Sequence, residues 1–267
     1  MKLSYLFYDP IVDLSELARR MAVLAELGYQ GVELTACHPP PFSAADLLRV
    51  SREVQLPVVS FLSGWSYGHE KMCLASAEVS VRQRTVERLT GYVEFAAELG
   101  ALVVVGLLQG LRTDEPDEAQ AVARIADGLG QVARRAEACG GQLVLEPVNH
   151  LQVGFHHTAA EAAALVERVG SPALGYMLDT IHVHIEERSM AETIRQHGGR
   201  IRHFHLCESN GGPFGSGALD FPLVLKTLHA TGYRRYLSVK IYRQLDWETA
   251  ARTAAAHVLP LLASLGS

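Results

Sequence analysis

Residues 142–150 read QLVLEPVNH: an apolar run, Leu143-Val144-Leu145, ends on the carboxylate of Glu146, and Pro147 stops it. A strand buried in a parallel sheet has no interior use for an acid, but its carboxyl end is where a barrel enzyme places its chemistry. Two later runs have the same form. Residues 174–178 (LGYML) lead to Asp179, and residues 201–206 carry His205 near their end. One such residue is ordinary at a strand-to-loop boundary. Three in succession are expected to converge on one point if their strands lie side by side.

Working outward, the chain alternates strand and helix. Short apolar runs at 3–7, 31–34, 57–62 and 102–106 precede the opening stretch, and 236–241 follows it. Between them lie segments with apolar residues three or four apart, as in Leu17, Met21, Leu24 and Leu27, the period of an amphipathic helix. Asp13 or Ser15, Ser43 and Thr158 stand where helices need an N-cap, and Gly28, Gly100 and Gly140 where they end. Residues 63–74, with Trp65, Tyr67 and His69, form a long loop after the third strand. The last helix runs from about Trp247 to at least Leu259, where Pro260 is expected to kink or end it. Eight alternations with short connections predict a single (β/α)8 TIM barrel domain over residues 1–267, with a doubly wound open sheet as the alternative. There is no GxGxxG after the first strand and no GxxxxGK[ST], so a dinucleotide site or P-loop has no support.

Composition fits a compact soluble protein. Hydrophobic residues make up 48% of the chain and charged ones 20%, and the net charge of −5 argues against nucleic-acid binding led by phosphate contacts. The four cysteines (Cys37, Cys73, Cys139, Cys207) show no CxxC spacing, so a reduced, cytoplasmic setting is expected. No apolar run reaches membrane-spanning length and the N-terminus is too short and polar for a signal peptide.

All candidate site residues of a parallel barrel lie at one face, the carboxyl ends of its strands. Glu146, Asp179 and His205 supply oxygen and imidazole donors, a set that suits Mn²⁺, Mg²⁺, Co²⁺ or Zn²⁺. Lys240 ends the eighth strand in LSVKI and is the odd member, because an ammonium cannot ligate a metal. His182, Glu208 and Asn149 stand close to these positions in sequence. Trp65 and Phe7 are expected to form an apolar wall of the substrate pocket at this face. His203 is given no role.

LEPVNH, GFHHTAAEAAALVERVGSPALGYMLDTIHVHIEE, IRHFHLCESNGGPFGSGALDF and GYRRYLSVKIY together resemble the xylose-isomerase-like TIM-barrel family. Within it they resemble the ketose 3-epimerases of the D-tagatose and D-psicose epimerase group in particular. The likeness is good over residues 142–242 and loose before them, through GYQGVEL and FAAELGA. It implies a divalent metal, Mn²⁺ foremost, held by Glu146, Asp179 and His205, with His182 on the substrate; Glu208, just after the His205 strand, is a further candidate for substrate contact. In that family two metal-bound glutamates serve as acid and base on opposite faces of the sugar. The second of them is replaced here by Lys240. The family's NRYE reads Asn149-His150-Leu151-Gln152, and its arginine after the SN pair is Gly211.

The lysine changes the electrostatics. At ~4 Å and an effective dielectric near 20 each charge pair is worth about 4 kcal/mol, so an ammonium in place of a carboxylate weakens the hold on a divalent ion. The expected activity is metal-assisted enediolate chemistry on a small ketose or keto sugar derivative, with Glu146 or Lys240 moving the proton. Decarboxylation or β-elimination of a 3-keto sugar acid through Lys240 is the first alternative. A barrel that binds sugar without turnover is the second, and a DNA-repair endonuclease of the same superfamily is disfavoured by the acidic charge. The expected partner is a small sugar or sugar acid, and a homo-oligomer is compatible with all of this.

Overall fold

The computed structural model describes residues 1–243 and 246–266. Nine strand segments form one sheet: β1 (Lys2–Phe7), β2 (Gly31–Thr35), β3 (Val58–Leu62), β4 (Leu102–Val105), β5 (Gln142–Leu145), β6 (Leu174–Tyr176), β7 (Leu178–Asp179), β8 (Phe204–Leu206) and β9 (Tyr236–Val239). Every pairing is parallel, in the order β6-β5-β4-β3-β2-β1-β9-β8-β7. Only Met177 separates β6 from β7, and its N–H still donates to the Leu145 carbonyl at 3.0 Å. The two segments therefore share one barrel position, and eight positions close the (β/α)8 barrel.

Helices α1 (Leu14–Glu26), α2 (Ala44–Val54), α3 (Trp65–Glu70), α4 (Val79–Glu98), α5 (Glu118–Cys139), α6 (Ala159–Val169), α7 (Thr180–Glu186), α8 (Met190–His197), α9 (Phe221–Ala230) and α10 (Trp247–Ser264) lie between and after the strands. Asp13, not Ser15, caps α1, and Ser43 caps α2. Three features differ from the sequence expectation. The segment after β3 contains α3. Two helices, α7 and α8, follow Asp179, because the strand runs into α7 with no glycine or proline between. Asp179 is itself the N-cap of α7, its Oδ1 accepting from the Ile181 N–H at 3.0 Å. Finally, α10 continues through Pro260 to Ser264. Pro260 and Ala256, whose carbonyl loses its partner, are both on the solvent side, so water satisfies the freed group.

The period of two along each strand sorts the core. Leu3, Tyr5 and Phe7 on β1, Val103 and Val105 on β4, Phe204 and Leu206 on β8, and Leu237 and Val239 on β9 all join one large apolar core with the helices. Their neighbours face the barrel interior. On one side that interior is a small apolar cluster of Val104, Val144 and Met177. On the other it is polar: Ser4, Glu33, His203, His205 and Ser238 are all buried. Glu146 and Asp179 are two residues beyond Val144 and Met177, so both stand on the interior face.

The Thr158 hydroxyl and the Glu161 carboxylate form a reciprocal capping box at the start of α6. Thr158→Ala is expected to lower stability by about 1 kcal/mol, measured by urea unfolding, with no change in metal or sugar binding.

Candidate active site

Backbone hydrogen bonds fix the three strand ends against each other. The Glu146 N–H donates to the Val105 carbonyl at 2.9 Å, and the Lys240 N–H donates to the Leu206 carbonyl at 2.8 Å. Thr180 ties the third pair, its hydroxyl donating to the Cys207 carbonyl at 2.6 Å and accepting from the Cys207 N–H at 2.8 Å. Gly106 leaves the space that the Glu146 side chain needs: a Cβ there would lie 2.5 Å from Glu146 Oε2.

Around this frame Glu146, Asp179, His205 and Lys240 converge. His205 Nδ1 lies 3.2 Å from Glu146 Oε1 and 3.5 Å from Asp179 Oδ2. Lys240 Nζ donates to Asp179 Oδ2 at 2.8 Å and lies 3.9 Å from Glu146 Oε1. All four are buried. Burial opposes charge on each, yet Asp179 and Glu146 together hold the Lys240 ammonium well above its usual pKa, and Lys240 foremost holds both carboxyls below theirs. His205 is likewise pushed up, burial being outweighed by Glu33 and then by Asp179 and Glu146.

His182 completes the ring, with Nε2 3.7 Å from Glu146 Oε1 and 3.8 Å from Asp179 Oδ2. Its tautomer follows from its neighbours. Asn149 Oδ1 accepts from the Leu151 N–H at 3.1 Å, so Asn149 Nδ2 is left to donate to His182 Nδ1 at 2.7 Å. The neutral ring then carries its proton on Nε2, aimed into the pocket, and burial keeps the ring neutral by lowering its pKa. His182 is thus a hydrogen-bond donor to whatever enters.

The donor set fits a divalent cation. Glu146 Oε1 and His205 Nδ1 are buried and have no hydrogen-bond partner, although they face each other. Two ligands bound to one cation at ~2.1 Å stand about 3 Å apart, close to the separations seen here. Ligand atoms of Glu146, Asp179 and His182 also lie within 4.8 Å of one another, but the Nε2–H tautomer of His182 makes His205 the better third donor. The ammonium of Lys240 shares Asp179 Oδ2 with any such ion.

Outside the carboxylates a cavity of about 290 Å³ opens, walled by Tyr8, Trp65, His69, Leu107, Val148 and Gln152. Trp65 lines this cavity, stacked on His69 with ring centroids 4.4 Å apart. Two expected substrate contacts are not there. Phe7 faces outward, edge-on to Tyr5 and Trp247, and lines a separate cavity of about 540 Å³ beneath the loop after β2. Its odd register on β1 sends it to the helix side. Glu208 holds its own loop instead, accepting from the N–H groups of Ser209, Gly215 and Leu219 at 2.8, 3.1 and 3.2 Å.

Two groups escaped the sequence. Glu33, in GVELT, sits inside the barrel against His203 and His205; an acid between two apolar residues of a strand was its signal. His203 shares the interior face because it is two residues from His205. Behind Glu146, Gln109 Nε2 donates to the Glu146 carbonyl at 3.0 Å and Gln109 Oε1 accepts from His156 Nδ1 at 2.8 Å.

The sequence profile of the family described as xylose isomerase-like TIM barrel matches residues 21–261. The L-ribulose 3-epimerase of Mesorhizobium japonicum is 32% identical over 245 residues, covering 90% of this chain and 81% of the relative. The D-psicose 3-epimerase of Agrobacterium fabrum is 29% identical over 216 residues, 78% of this chain and 74% of that one. Among solved structures, an L-ribulose 3-epimerase superposes with a TM-score of 0.87 at 27% identity, covering 99% and 95% of the two chains. A D-psicose 3-epimerase from Clostridium cellulolyticum H10, solved with D-tagatose, gives 0.83 at 21% identity over 99% of both, a likeness of fold. The fold and the site define a barrel enzyme of the sugar isomerase and epimerase type. The chain belongs to the xylose isomerase-like TIM barrel family, and the relatives named are ketose 3-epimerases within it. The decarboxylase, lyase and non-catalytic alternatives draw no support from these relatives. No helix among the described residues is long and apolar enough to cross a membrane.

Burial lowers the His156 pKa from 6.5 to about 4. Below pH 6.5 the unfolded chain takes up a proton that the folded chain refuses, so stability is full above that pH and falls as the pH drops toward 4. Between pH 7 and pH 5 this group is expected to remove about 2 kcal/mol. His156→Asn keeps a donor for Gln109 and suits the φ of 52° at this position. Urea unfolding at the two pH values should show a correspondingly shallower loss in that variant.

Proposed function

We propose that the chain is a single-domain, divalent-metal-dependent epimerase that inverts the carbon next to the carbonyl of a small ketose or keto sugar. The observation that carries this is the convergence of the unpartnered Glu146 Oε1 and His205 Nδ1 with Asp179 Oδ2 at the base of a sugar-sized cavity. Glu146, Asp179 and His205 hold the ion, Mn²⁺ in first place and Mg²⁺, Co²⁺ or Zn²⁺ as substitutes. When bound, it polarises the carbonyl and lowers the cost of charge on the adjacent oxygen.

The protein's own groups do the rest. Glu146, held ionised by Lys240, takes the proton from the carbon beside the carbonyl. Lys240, held protonated by Asp179 and Glu146, returns a proton to that carbon, replacing the family's second carboxyl as the acid. Nζ and Oε1 are 3.9 Å apart, too close to admit a carbon between them. Substrate entry therefore parts them, which the flexible four-carbon stem allows. The Nε2–H of His182 donates to a sugar oxygen, and Trp65 covers the carbon face. The free cysteines support a reducing compartment, the cytoplasm.

The test is a panel of unphosphorylated ketoses and keto sugar acids with Mn²⁺ in D₂O. Epimerisation with deuterium at the inverted carbon supports the proposal, and release of carbon dioxide or water instead would replace it. Lys240→Met is expected to abolish turnover while the fold, followed by circular dichroism, persists, since the apolar stem fills the same space. Lys240→Glu should tighten Mn²⁺ at least about 100-fold in calorimetric titration, because one charge pair at ~4 Å is worth about 4 kcal/mol. His182→Ala should lower kcat/KM by about two powers of ten; unchanged kinetics would leave His182 a structural residue.

A further inference from the structure

Glu33 lies below the site, inside the barrel, with none of its surface exposed. Its carboxylate grips His205 with both oxygens, Oε1 at 3.2 Å and Oε2 at 3.1 Å from Nε2. Oε2 also accepts from His203 Nε2 at 2.9 Å. Beneath this, Ser238 Oγ is 3.1 Å from His203 Nε2 and 2.7 Å from Ser4 Oγ. The two imidazoles pack edge to face, centroids 5.2 Å apart and planes at 84°. The whole chain of contacts spans β1, β2, β8 and β9, neighbours around the barrel wall.

We infer that Glu33 is the positioning residue of the metal centre, the group that keeps one proton on His205 Nε2 and turns the Nδ1 lone pair toward Glu146 and Asp179. The inference deepens the function proposed above and rests on its metal reading. A carboxylate can only accept, so the nitrogen it faces must carry hydrogen, and the opposite nitrogen, without a hydrogen-bond partner here, is the one left for a cation. A carboxylate behind an imidazole also makes it the stronger donor and fixes the plane of the ring. Neither described neighbour substitutes: His203 hydrogen-bonds to Glu33 and Ser238 to His203, and neither hydrogen-bonds to His205. Glu33 is not among the residues lining the sugar cavity, so its hydrogen-bonded route to the site is His205.

The test compares Mn²⁺ affinity of the purified metal-free proteins by calorimetry. Glu33→Gln is expected to weaken Mn²⁺ binding by 10- to 100-fold and to shrink the rise in Tm that Mn²⁺ produces. His203→Gln, which removes the other partner of the same carboxylate at equal depth, should leave the affinity close to that of the unaltered protein, because the hydrogen bonds of His203 go to Glu33 and Ser238 and not to a metal-binding side chain. That variant separates positioning from general damage to the barrel. If Glu33→Gln does not fold, Glu33→Asp carries the test, its carboxylate ending one bond short of His205, with the same order of loss expected. An equal loss in the Glu33 and His203 variants, or no loss in either Glu33 variant, overturns the inference and leaves the proposed function standing. A wild-type protein that binds no Mn²⁺ overturns both.

Discussion

A carboxylate withdrawn from water must be met by cations or donors, and the carboxyl end of this barrel is built around that requirement. Asp179 is fully buried and answers it twice: Oδ1 accepts the Ile181 N–H in the first turn of α7, and Oδ2 accepts from Lys240. Removing one partner from such a buried pair costs about 3–5 kcal/mol, because the other charge is left stranded. Where Lys240 moves away, another cation is what keeps Asp179 paired. A divalent ion held as proposed above would offer that replacement, and the lysine and the metal would then compete for one oxygen while depending on the same pair of acids. In that reading the competition would lower metal affinity and keep an ammonium beside the substrate.

The interior below repeats the rule. Val104, Val144 and Met177 make one half of the barrel lumen apolar, whereas Glu33, His203, His205, Ser238 and Ser4 make the other a connected polar column. Such a column is tolerable only when each member is satisfied, since an unpaired polar group in low dielectric costs several times what its hydrogen bond contributes. Here the single carboxylate of Glu33 serves two imidazoles, and burial is outweighed by both so that it stays ionised. Among the described residues Ser60 Oγ on β3 is also buried without a partner, but the two unpartnered atoms that face each other, Glu146 Oε1 and His205 Nδ1, sit at the top of the column. Unsatisfied atoms in an otherwise complete network mark where something else binds.

The barrel and its three strand-end donors were legible because strand ends carry punctuation: Pro147 after Glu146, and apolar runs that stop on an acid or precede a histidine. What was hidden lacked punctuation. Glu33 lies mid-strand with apolar neighbours, where only the interior parity of β2, set by its pairing with β1 and β3, shows that it faces inward. The same parity sends Phe7 outward and brings His203 in, and parity is fixed by register, which no local pattern states. Glu208 misled for a different reason. Its position after β8 was right for a ligand contact, but a loop rich in glycine has many free N–H groups, and the nearest carboxylate satisfies them.

Two departures from the epimerase pattern are physically one. Where the pattern has an arginine this chain has Gly211, whose φ of 70° favours glycine. A Cβ at that position would lie 2.3 Å from the ring of Tyr242. The backbone ties the two segments as well, since the Tyr242 and Arg243 N–H groups donate to the Gly211 carbonyl at 3.2 and 3.0 Å. Tyr242 follows Lys240 by two residues, and its ring meets that of Tyr8, at the cavity mouth, with centroids 6.2 Å apart. Restoring an arginine at 211 would require moving Tyr242 and, with it, the strand end that carries Lys240. The glycine at the rim and the ammonium at the base are therefore linked through the short segment that follows β9, residues 240–243.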